Sequence, residues 1–189
     1  MHPRPFGHPL ISVLLMSVLL IGGCNDSPTR PVGGGDSGTV EPPPDCEATF
    51  AQQVFNLVNL ERAAADVPLL EIDTRLVAAA QDHADWMAAS GIMSHTGEGD
   101  SSPADRAAAA GFPYVMLGEN VAAGYSTPEA VVQGWMNSTG HRANILRESF
   151  TLAAVGYAAS SGSGWGHYWV NMFGSAADGG LLPESGCHP

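Results

Sequence analysis

The chain has 189 residues, 44% hydrophobic and 14% charged, with seven Arg, no Lys and 19 acids giving a formal net charge of -12. That length cores one domain with appendages rather than two domains. Without a basic stripe the chain is excluded from tracking nucleic-acid phosphates or anionic lipid surfaces, so a monomeric globule with no nucleic-acid partner is expected.

Residues 1–23 read as a targeting segment. Arg4, with His2 and His8, precedes an apolar run from Leu10 to Ile21 interrupted only by Ser12 and Ser17. A membrane span needs about 20 apolar residues, so this shorter run fits the apolar region of a signal peptide. Ile21-Gly22-Gly23-Cys24 is similar to a bacterial lipobox, in which Cys24 receives lipid and becomes the mature N-terminus. Several acyl chains would hold such a protein on a membrane where one would not, giving a membrane partner through Cys24 and an extracytoplasmic, anchored location. A secreted protein with an incidental Cys24 is the plainer alternative.

Residues 24–45 change to Pro, Gly, Ser, Thr and Asp and end in Glu41-Pro42-Pro43-Pro44. Such a segment cannot bury enough apolar surface to offset its ordering entropy. It is a tether, spanning about 25 Å if flexible and about 60 Å if extended. The domain proper is expected over residues 46–189, flanked by Cys46 and Cys187. Outside the cytoplasm, an even pair at the two edges of a domain suggests a disulfide. The absence of any CxxC spacing argues against a cysteine zinc site.

Within the domain, Phe50, Val54, Leu57 and Val58 follow a 3.6-residue period, predicting a helix over Glu47 to Ala65 that Pro68 breaks. Asp73 reads as the N-cap of a second helix, with Leu76, Ala79, Ala80, His83, Ala84 and Met87 on one face and Gly91 at its end. On that apolar face His83 reads as a hydrogen-bonded core histidine. Ser102 and Pro103 start a short third helix running to Ala110. Thr127 and Pro128 start a fourth, with Ala130, Val131, Val132, Trp135 and Met136 on its apolar face and Gly140 as its stop. Leu152 to Ala159 and Trp165 to Phe173 read as an antiparallel hairpin with a loose SSGSG loop, and Glu119 to Ala122 as a further strand. Trp165, Tyr168, Trp169 and Phe173 read as core or cleft wall. Helices first and strands last give an α+β class.

The stretch Gly118 to Leu146 carries the densest chemistry: Glu119 before a helix and His141 after it, with His95 upstream in a Gly- and Ser-rich loop. Two imidazoles and a carboxylate in one cleft bind a divalent cation or move protons. Each also has a structural reading. Glu119 could be a buried clasp on backbone amides, and His141 could cap the helix end at Gly140. Asn120, Arg142 and Asn144 read as loop-fixing groups.

SHTG at Ser94 to Gly97, SSPADR at Ser101 to Arg106, GEN at Gly118 to Asn120, the block WMNSTGHRANIL from Trp135 and YWVNMFG from Tyr168 together resemble the bacterial branch of the CAP superfamily. This family comprises the cysteine-rich secretory, antigen 5 and pathogenesis-related 1 proteins, and its domain is also called the SCP domain. The resemblance covers roughly Ala48 to Gly174. It implies a three-layer α-β-α sandwich with a small antiparallel sheet between helices. It also implies a cavity lined by two His and two acids, of which His95, Glu119 and His141 match three. The second acid is missing, since Ser138 stands at its position. Zinc, or another divalent cation, on His95 and His141, weakly bound and pH-dependent, is the expected cofactor.

Three functions follow from the resemblance: a binding module for a hydrophobic, glycan or protein ligand, a hydrolase using His95, Glu119 and His141 with Ser138 or metal-bound water, and a structural envelope protein. The hydrolase reading is weakened by the absence of G-x-S-x-G, H-E-x-x-H and a Cys nucleophile.

Overall fold

A computed structural model of the chain describes residues 48–179. The expected signal peptide, lipobox and tether lie outside the described residues. So do Cys46 and Cys187; the described residues contain neither cysteine nor disulfide, and the expected bridge is not carried further.

Helix α1 (Phe50–Ala64) starts at Thr49, whose hydroxyl accepts the amide of Gln52, and buries Val54, Phe55, Val58 and Arg62. The two-residue strand β1 (Glu71–Ile72) leads to α2 (Thr74–Ser90), capped by the Asp73 carboxylate and closed by Gly91 in the left-handed conformation. A 3-10 turn (Glu98–Asp100) precedes α3 (Pro103–Ala109), whose capping box pairs Ser102 with Asp105. Then come β2 (Tyr114–Ala123), α4 (Pro128–Met136), α5 (Thr139–Ile145), β3 (Leu152–Ala159) and β4 (His167–Ala176). The signals that set these starts are the expected ones: Ser, Thr or Asp side chains that satisfy otherwise orphaned amides, and Pro where no amide is needed.

The strands pair in the order β1-β3-β4-β2. β4 runs antiparallel to both neighbours, while β1 is parallel to β3, so the sheet is mixed rather than purely antiparallel. Alternation along the strands divides the core. Val121, Tyr168, Val170 and Met172 join α2 and Ala107 of α3 on one face. Ala122, Trp169 and Phe173 join α1, α4 and Ile145 of α5 on the other. This is the three-layer α-β-α architecture, with period-2 strands feeding two helical layers. α2 lies directly on β3: a Cβ at Gly156 would collide with the Ala80 carbonyl.

Three local expectations need correction. The fourth helix ends at Met136 and not at Gly140; α5 starts after Ser138 and includes both Gly140 and His141. His141 is therefore a residue of a helix's first turn and does not cap a helix end. Trp165 is not core, being 53% exposed, whereas Tyr168, Trp169 and Phe173 are fully buried.

Arg62, fully buried, fixes the far end of α5. Its guanidinium donates to the carbonyls of Pro68 (2.7 Å), Ile145 (2.7 Å), Arg147 (3.0 Å) and Phe150 (3.0 Å). Four carbonyl dipoles replace water around one charge, so a group that is costly to bury unpaired becomes a rigid tie between α1 and the α5–β3 connection.

Candidate functional site

β2 lies at the sheet edge, and its consecutive residues Glu119 and Asn120 point to opposite layers, as strand pleating requires. Glu119 faces α3 and the loop after α2. Its Oε2 accepts from Arg106 NH2 at 2.6 Å and its Oε1 from His95 Nδ1 at 2.8 Å. The Glu119 and Arg106 side chains are only 2% and 9% exposed, so solvent screens this pair poorly. Arg106 also donates to the carbonyls of Ser101 (2.8 Å) and His95 (3.1 Å), which ties the SHTG loop to α3. Gly97 makes the close approach feasible, because a Cβ there would sit 2.9 Å from Arg106 NH1 and 3.0 Å from His83 Nδ1.

Asn120, fully buried, faces α5. Its amide donates to the His141 carbonyl (3.1 Å) and its Oδ1 accepts from Asn144 (2.9 Å), which also donates to the Glu119 carbonyl (3.2 Å). Thus α5 is hydrogen-bonded to the strand that carries the carboxylate, and His141 is brought to the same edge as His95.

The two histidines differ in charge preference. The Glu119 carboxylate that accepts from His95 raises the pKa of that imidazole above its ordinary value. Burial lowers that of His141, and the charge on His95 lowers it further. Each effect has its expected sign: a hydrogen-bonded anion stabilises a cation, while desolvation and a like charge oppose one. Among the described residues no hydrogen bond reaches the His141 ring or His95 Nε2. His83 is the core residue expected from its position: its Nε2 donates to the Ser94 carbonyl at 2.8 Å, and burial depresses its pKa.

The structure thus joins His95 directly to Glu119 and holds His141 within electrostatic range. Ser138 is the N-cap residue of α5, three residues before His141, with no side-chain capping bond. Arg106 is the site residue that sequence reasoning missed. Its signal was its place in SSPADR, one residue after the capping-box Asp105, but partnership with a carboxylate on another strand is not legible from that motif.

The metal expectation is corrected. Among the described residues no group of three or more His, Cys, Asp or Glu side chains converges in a way that could hold an ion. The donor chemistry gives the reason. His95 Nδ1 and both Glu119 oxygens are engaged with each other and with Arg106, whose positive charge replaces a cation at the carboxylate, and position 138 offers no anion. His95 Nε2 and the His141 ring keep their lone-pair capacity, but two imidazoles fall short of the three protein ligands of a zinc site, and no third converges on them among the described residues.

A family profile described as "CAP: Cysteine-rich secretory protein family" matches residues 55–173. The chain belongs to this family. It is 34% identical over 149 residues to an uncharacterized Bacillus subtilis protein, YkwD, covering 79% of this chain and 56% of that one. It is 31% identical over 110 residues to YlbC, an uncharacterized membrane protein of the same bacterium, covering 58% of this chain and 32% of that one. The chain therefore spans about half or less of these relatives. Among solved structures, an extracellular SCP-domain protein of Bacillus anthracis superposes with a TM-score of 0.59 at 32% identity, over 66% of this chain and 40% of that one. An outer surface protein of Borrelia burgdorferi gives 0.57 at 20% identity, over 65% and 90%, a likeness of fold. The His95–Glu119–Arg106 cluster fits the cleft of a CAP domain.

Proposed function

We propose that the chain is an extracytoplasmic binding module, held to a membrane by lipid on Cys24, whose cleft at the β2 edge captures a lipid, glycan or protein ligand through His95 and His141. The observation that carries this reading is the locked carboxylate. Glu119 is held by Arg106 and His95, so it is not free to act as a base or nucleophile but fixes the His95 ring with Nε2 outward. His95 is 55% exposed and favours the protonated state, offering a charged donor; His141, favouring the neutral state, offers an acceptor or a donor beside it. A preformed pair of this kind lowers the ordering cost of binding.

The test measures binding of lipid vesicles, a glycan array and extracellular protein extracts to the full chain and to His95→Ala and His141→Ala. A ligand lost in both variants while each still unfolds cooperatively above the assay temperature supports the module. Ligands held equally by all three proteins contradict it. The anchor is tested by Cys24→Ser, which should move the protein from the membrane fraction to the soluble fraction.

One observation favours a second reading. Neighbouring imidazoles with pKa values pushed in opposite directions form an acid–base pair, His95 as acid and His141 as base, the arrangement a hydrolase of the envelope would use. That reading requires turnover of an ester, peptide or glycan substrate that both variants abolish.

A further inference from the structure

Three loops at one end of the sheet carry no Asp, Glu, Arg or Lys: residues 91–97, 124–127 and 160–166. The loops are neighbours. A Cβ on Gly91 would lie 4.0 Å from Ser163, and one on Gly124 would lie 3.1 Å from the Trp165 ring. The Gly124 amide also donates to the His167 carbonyl at 2.9 Å. Together they present Ile92, Met93, Tyr125 and Trp165 to solvent, with Trp165 53% and Ile92 52% exposed. Tyr125 is held in place, its hydroxyl lying where a Cβ of Gly134 would be and its carbonyl accepting from Trp169 Nε1 at 2.8 Å.

We propose that this tip, whose one side chain titrating near neutral pH is His95, is a docking surface for a neutral lipid bilayer, the membrane to which the chain is tethered. Trp and Tyr with aliphatic neighbours match the chemistry of the membrane–water interface, where amphipathic rings sit at headgroup level. A net charge of -12 would repel an anionic surface, and the tip is where that repulsion is least. The tether expected between Cys24 and the domain reaches about 25 to 60 Å, so the tip can meet the bilayer without detaching the anchor. Ile92 and Met93 immediately precede Ser94 and His95, so docking sets the cleft beside the lipid headgroups. The proposal rests on the anchored-module reading.

The test uses the full chain with phosphatidylcholine vesicles carrying brominated acyl chains, which quench tryptophan that enters the interface. Flotation reports attachment; quenching reports docking. Trp135 and Trp169 are buried and Trp86 is half-buried in α2, stacked on His83 outside the tip, so lipid quenching in the native chain should be mostly lost in Trp165→Phe. It should fall about tenfold in effective affinity in the Ile92→Ser/Met93→Ser double variant, with melting unchanged. A chain that floats while Trp165→Phe is quenched like the native protein overturns docking and leaves the anchor. A chain that fails to float overturns both. Unchanged quenching in the double variant, or a solution dimer that Ile92→Ser dissociates, also overturns the proposal, the dimer by assigning the tip to a second copy.

Discussion

The two faces of β2 solve the same problem with different chemistry. On the α3 side, Glu119 is held by ions, the Arg106 guanidinium and the His95 imidazole; on the α5 side, Asn120 is held by neutral amides and a carbonyl. The charged face ends in a half-exposed ring that titrates, whereas the neutral face ends in a helix whose backbone is fixed. One side supplies responsive chemistry, and the other supplies the position from which His141 meets it.

The largest effect expected from breaking this comparison is on the charged side. Glu119→Ala leaves the nearly buried Arg106 charge without its counter-ion and should destabilise by about 3 to 5 kcal/mol in denaturant melts. The neutral side should be less sensitive. Asn120→Ala strands the His141 carbonyl and the Asn144 amide, and a loss of about 1 to 3 kcal/mol is expected, with faster hydrogen exchange in α5 than in α3. A loss as large as that of Glu119→Ala would erase the distinction.

The pH dependence sharpens it further. The folded pKa of His95 is raised above 6.5, so its contribution to stability is complete below the unfolded value and is lost as pH rises through the folded one. His83 and His141 have lowered pKa values; they remain neutral in the fold, and their protonation favours the unfolded chain as pH falls through and below 6.5. Melting curves across this range should show the alkaline loss vanish in His95→Ala and the acid loss persist. Least of all is expected from Ser138→Ala: with no side-chain capping bond to lose, stability should change by no more than about 0.5 kcal/mol.

Much of the fold was legible because local chemistry and tertiary structure agree. Asp73, Gly91, Ser102 and Thr127 mark helix ends in the sequence and serve as caps or stops in the structure, and Leu152 to Ala159 is a strand as its composition predicts. β1 was not legible, since a two-residue parallel pairing to Leu152 and Ala153 has no periodicity of its own. The break between α4 and α5 was misread because Gly140 is a common stop, whereas the chain turns earlier, at Asn137 and Ser138. His95, Glu119 and His141 stood out by their loops and motifs. Their partnerships did not: Arg106 and Asn144 lie in the quoted motifs, but they act through contacts between distant segments, which spacing does not encode. The metal expectation failed for the same reason, since the cation beside Glu119 is a guanidinium from the chain itself.

The central claim is that His95 and His141 share one cleft and sense each other. The most direct measurement follows the His141 imidazole through a pH titration by NMR, in the native chain and in His95→Gln. Removal of the neighbouring charge should raise the His141 pKa toward its ordinary value. A His141 titration identical in the two proteins would mean that the rings do not share a site, and the cleft would lose its chemistry.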